Sequence, residues 1–152
     1  MKQFSYLFII LLVCLPLISW SQSARFEGLT SYQINLDSNS AIVAADKIIN
    51  IHSKTTGKLS IQLFLCENKY EGGSLKGIPC GEVKVSNGLK KGEKVMDFSA
   101  DISFTRPLRG SFYPVVLLLE NVKGENLIID YVTFDMFTIN KKSVGILTGK
   151  NN

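Results

Sequence analysis

The stretch "VMDFSADISF" (95–104) alternates apolar and polar residues without a break. Met96, Phe98, Ala100, Ile102 and Phe104 fall on one side; Asp97, Ser99, Asp101 and Ser103 fall on the other. Successive strand side chains point to opposite faces, so this period of two fits a half-solvated antiparallel strand. "LSIQLFLC" (59–66) repeats it, with Leu59, Ile61, Leu63 and Leu65 opposed to Ser60, Gln62, Phe64 and Cys66. In "CGEVKVS" (80–86), Val83 and Val85 point inward and Cys80, Glu82 and Lys84 outward. "GLTSYQINL" (28–36), "DKIINIHS" (46–53) and "LIIDYVTFDMFTIN" (127–140) are further strands. "SFYPVVLLLE" (111–120) differs, because its unbroken apolar run predicts a central strand covered on both faces. Pro114 cannot donate to a ladder, so that strand begins at Val115 or carries a bulge.

Turn signals separate these segments, among them "NGLKKGEK", "RPLRG" and "NVKGEN". No helical period follows residue 22. About seven strands with short turns predict an all-β fold, an antiparallel β-sandwich of immunoglobulin-like type, with a small β-barrel as the alternative.

The opening "MKQFSYLFIILLVCLPLISWSQ" has one early cation, Lys2, an apolar run from Tyr6 to Ile18, and then small residues. That order predicts a signal peptide over 1–21, a sandwich domain over 22–140 and a flexible tail over 141–152. The run is too short for a comfortable membrane span of about 20 residues and is interrupted by Pro16, so no transmembrane segment is expected after signal cleavage. The chain is therefore expected to be exported, in the periplasm or outside the cell. Losing Lys2 lowers the formal net charge from +4 to +3, spread along the chain. No dense Arg/Lys stripe marks a nucleic-acid partner.

Nucleophilic catalysis needs a base beside the nucleophile, and the single histidine, His52, ends a strand between Ile51 and Ser53. Cys66, Cys80 and His52 supply too few ligands at the wrong spacing for zinc. Asp37, Asn39 and Asp46, or Asp97 and Asp101, lack the spacing of a calcium loop, and Asp97 and Asp101 are read as solvated acids on the wet side of a strand. Glu120 and Asp130 sit in the most apolar strands, where capping of amides or pairing with Arg106 or Arg109 is the expected role. "EGGSLKG" lacks the order of a phosphate-binding loop, and its glycines are read as supplying positive φ in a long connection. No metal, cofactor or catalytic residue is expected.

"GKLSIQLF" (57–64), the loop with Tyr70, Gly72, Gly73 and Gly77, the run from Pro107 through Gly110, Phe112, Val116, Leu118 and Glu120, and the closing Asp130, Tyr131 and Phe134 together carry a resemblance. Over about residues 46–134 the chain resembles a bacterial exported all-β domain, found alone or appended to secreted hydrolases and repeat proteins. That family reads GxLxLxLW, PYxGGxxxGY, PPxGxYxVxLxLxE and DYxxF. Phe64 replaces its tryptophan, Lys69 its proline, and the cysteine pair lies outside its pattern. The resemblance implies an accessory or adhesive module with no assigned catalytic residues.

Two cysteines remain after the signal, an even number in a compartment that permits disulfides. Unbroken alternation puts Cys66 and Cys80 on the outer face of one hairpin, so a cross-strand disulfide is expected. Such a bridge, closing a loop of about 15 residues, would stabilise the fold by roughly 3 kcal/mol on the chain-entropy argument. The loop it would staple, with Tyr70, Gly72, Gly73 and Lys76, is the expected partner-binding loop. Lys90, Lys91 and Lys94 form a turn suited to an anionic ligand, or simply a charged tip that keeps an edge soluble. Without tryptophan in the mature chain, Tyr32, Tyr70, Tyr113 and Tyr131 are the aromatic candidates for a glycan platform. The expected function is binding or adhesion, to an unknown protein or glycan at the envelope. A small secreted hydrolase or hydrolase inhibitor, and a surface-fibre component using strand addition, are the alternatives.

Overall fold

The computed structural model describes residues 22–151, so the signal-peptide reading of 1–21 lies outside the described residues. Nine strands form: β1 (Ala24–Asn35), β2 (Ser40–Asn50), β3 (Lys58–Cys66), β4 (Gly77–Ser86), β5 (Lys94–Ser103), β6 (Gly110–Val122), β7 (Glu125–Thr133), β8 (Phe137–Ile139) and β9 (Ile146–Lys150). There is no helix among the described residues. One sheet has the order β5-β2-β1-β9; the other runs β4-β3-β6-β7, with β8 beside the start of β6. Every pairing is antiparallel. The β1–β2 hairpin, the crossing to β3–β4, the return to β5 and the second crossing to β6–β7 make an immunoglobulin-like sandwich with open edges, not a closed barrel.

β3 buries the side it was expected to bury. Ile34, Val43 and Ile48 from one sheet meet Leu59, Ile61, Leu63, Leu65, Val116 and Leu118 from the other. Burying each of these side chains stabilises the fold by about 1.5–3 kcal/mol. β6 is covered twice, because Val115, Leu117 and Leu119 point away from that core into a second cluster with Phe64, Cys66 and Tyr70. The cover is the β3–β4 loop, laid back over the outer face of its own sheet. Thr133 Oγ1 donates to the Tyr70 carbonyl at 2.8 Å and holds it there. Pro114 lies inside β6, opposite Leu65. Its carbonyl accepts from Phe134 N–H at 2.9 Å, so its nitrogen, on the same side of the strand, faces the break between β7 and β8 where no donor is required.

Three expectations are corrected. Cys66 and Cys80 are free thiols, both buried. Leu63 pairs with Gly81 but Phe64 with Pro79, so Cys80 is the extra residue of a β-bulge. The bulge shifts alternation by one residue and turns Cys80 into the inter-sheet core, while Cys66 stays in the outer cluster opposite Gly77. Met96 is exposed, since φ of +50° at Asp97 flips the parity and sends Val95 inward beside Phe98. Finally, within the expected flexible tail over 141–152, β9 pairs with Ser31–Asn35 of β1, so the sandwich extends to Lys150. Leu147 packs on the core, and the Tyr32 and Phe134 rings, 4.9 Å apart, lie over Gly149 where a Cβ would collide with both.

Candidate functional site

β6 and β7 are joined by a two-residue turn, Lys123–Gly124, both with positive φ, which matches the twist of a tight hairpin. β7 then carries its own bulge: Leu118 pairs with Asp130 but Leu119 with Ile128, leaving Ile129 unpaired. Ile128 and Tyr131 join the outer cluster, whereas Ile129 and Val132 pack toward the inter-sheet core. Tyr70 meets Tyr131 edge to face, with centroids 4.7 Å apart, and its hydroxyl donates to the Gly73 carbonyl at 3.1 Å. Gly72 and Gly73 adopt φ of +103° and +80°, which a side chain would resist.

Between this loop and β7 runs a groove of about 620 Å³, mostly apolar. Its walls are Gln22, Tyr70, Gly72, Gly73 and six consecutive residues of β7, Asn126 to Tyr131. Asp130 is the one formally charged lining residue. It accepts from Phe26 N–H at 2.7 Å and from Tyr131 N–H at 2.9 Å, closing the gap between β7 and the start of β1. Burial pushes its carboxyl above the usual range, an effect only partly offset by those two amides, Arg25 and the Gln22 side chain.

The four residues expected in the partner loop divide. Tyr70, Gly72 and Gly73 reach the groove, but the Tyr70 ring is a buried support, not an exposed tip. Lys76 is exposed and lines a smaller hollow of about 190 Å³ with Cys66 and Lys69. Lys90 and Lys91 lie in the β4–β5 turn at the opposite end of β4 and Lys94 opens β5, all exposed, and Glu93 accepts from the Lys90 amide at 2.6 Å. Of the tyrosines, Tyr32 is buried against Phe134, Tyr113 is half-buried, and only Tyr70 and Tyr131 meet at the groove.

The remaining polar candidates are occupied with holding backbone. Glu120 accepts from Ser23 Oγ and from Gly57 N–H, both at 2.5 Å. His52 reaches Ser23 only through its backbone amide, and its Nδ1 accepts from Lys54 N–H at 3.2 Å. Arg106 pairs with neither carboxylate; it donates to the carbonyls of Leu36, Asn140 and Ser143. No group of three metal-ligating side chains converges among the described residues.

Residues 126–129 as a groove wall escaped the sequence reading. The signal was there, in a strand segment, "NLIIDYV", with no lysine or proline between its turn and its end. No protein-family model matches the chain, and no curated protein matches it. What the fold and groove define is an immunoglobulin-like sandwich with an apolar, tyrosine-walled groove along a sheet edge.

Proposed function

We propose that this chain is an exported, non-catalytic binding module whose ligand sits between the Tyr70–Gly73 loop and β7. The observation that carries this reading is the groove itself: apolar walls, two tyrosine rings and a single carboxylate, the composition typical of recognition sites. The hydrophobic N-terminal stretch supports export, and the resemblance to accessory domains of secreted proteins supports binding over catalysis. The engaged state of Glu120, Ser23 and His52 points the same way.

Leu127 lines the groove and belongs to neither core cluster, which makes it the position to fill. Immobilised wild type and L127W are presented to solubilised native envelope and to a glycan array. A ligand retained by the wild type and lost at least tenfold by L127W is the expected result. Equal capture by both proteins, or turnover of a captured glycan or peptide, overturns the proposal.

A further inference from the structure

We infer that the groove receives an extended peptide of a partner protein, which adds to the free edge of β7 as a further strand and places a lysine or arginine against the groove's carboxylate. The inference rests on the reading of the groove as the binding site and names its ligand class. Among the described residues, β4, β5, β7 and β9 end the two sheets, and β8, only three residues long, borders β6 alone. Natural sheets blunt such edges with charge, proline, bulges or brevity, because an open edge pairs with other chains. β4 carries Pro79, Glu82, Lys84 and its bulge, and its Cys80 carbonyl is taken by Thr105 N–H at 2.9 Å. β5 carries Lys94, Asp101 and the left-handed Asp97. β9 is five residues long and ends in Lys150.

β7 has its bulge, Glu125, and Asp130 holding the Phe26 amide of β1, yet its nine residues include no lysine, arginine or proline, and Leu127, Ile128, Ile129, Tyr131 and Val132 are all partly exposed. The groove follows six consecutive residues of this strand, which span about 20 Å when extended. That is the shape of a strand lying alongside. Main-chain hydrogen bonds would supply affinity there, and alternate side chains entering the Tyr70–Tyr131 cleft would supply selectivity.

Charge selects the peptide. Asp130 lines the groove, and Glu71 and Glu125 are exposed next to the lining residues Gly72 and Asn126. No lysine or arginine lines it, although the chain as a whole carries +4. A carboxylate presents about four acceptor sites. Asp130 uses two, on the Phe26 and Tyr131 amides, so room remains for a cationic side chain that also meets the tyrosine faces.

The probe is an acetylated, amidated eight-residue peptide alternating threonine and valine around one central lysine. Its comparisons are the same peptide N-methylated at every second amide, and a version with glutamate for lysine. Wild-type protein is expected to bind the first, with amide exchange at residues 126–131 slowed at least tenfold at saturation, and to bind each of the others at least tenfold more weakly. L127K, which installs a natural edge guard, is expected to lose binding tenfold. Unchanged exchange along β7, or equal affinity for the N-methylated peptide, overturns the inference; both readings use the wild-type chain and stand whatever L127K does. A ligand lost by L127W in the capture experiment, with no peptide binding here, sinks the added strand and leaves the binding module standing. Absence of both sinks both.

Discussion

Cys66 and Cys80 lie on neighbouring strands and face opposite sides of the same sheet, one in the outer cluster and one between the sheets. Burial raises both thiols, Cys80 to about 12. Intact mass should show two free thiols, and alkylation of the native protein at pH 8 should be slow until denaturant is added. Reductant should leave Tm unchanged; a fall in Tm would mean a bridge. The sign of the pH effect follows from the raised value. An unfolded thiol ionises near 9 while folded Cys80 holds its proton, so stability is retained below about 9 and declines as pH rises toward about 12. Cys80→Ala should flatten that decline.

Asp130 follows the same sign in the acid range. Its folded carboxyl is raised, so the folded state takes up the proton before the unfolded chain does. The stability of the wild type relative to D130N should therefore improve as pH falls from 7 through the ordinary carboxylate range. Urea midpoints of both proteins at pH 7, 5 and 3.5 measure this. A wild type that loses ground on acidification would show that the amide bonds outweigh burial.

Burial of β6 on both faces makes a quantitative prediction. Leu117 and Leu118 are both fully buried, one under the β3–β4 loop and one between the sheets. Leucine-to-alanine changes at such sites cost about 2–5 kcal/mol. L117A and L118A should each fall in that range by urea unfolding. An L117A cost under about 1 kcal/mol would mean the loop is a loose lid.

The last strand should matter in the same assay. Deleting residues 146–152 removes Leu147 from the core and uncovers the Tyr32–Phe134 pair, at a cost of about 2 kcal/mol or more. G149V should approach that loss without any deletion, because two rings occupy the space its side chain needs. Wild-type stability in the truncated chain would return these residues to the status of a tail.

What could be read in advance was whatever one strand decides alone. The alternation of "LSIQLFLC" set which side of β3 faces the core, and the apolar run of β6 announced a strand with no wet face. Glycines in the β3–β4 loop marked a long connection with positive φ, which Gly72 and Gly73 adopt. The bulges at Cys80 and Ile129 were hidden, because the identity of the extra residue depends on the strand it lies against. One slipped residue sufficed to replace an expected bridge by two separated thiols.

The groove shows the same division. Tyr70 was picked out, but its orientation follows from Thr133 holding its carbonyl and Tyr131 meeting its ring, both more than 60 residues away in sequence. β9 was missed because a glycine, a threonine and a lysine carry little strand signal until Tyr32 and Phe134 supply a surface that only glycine fits. Local side-chain periodicity, a property of the chain by itself, determined most of the strands, the buried side of β3, the double cover of β6 and the sandwich. Register, edges and the cleft came from the tertiary structure, since each depends on contacts between segments distant in the chain.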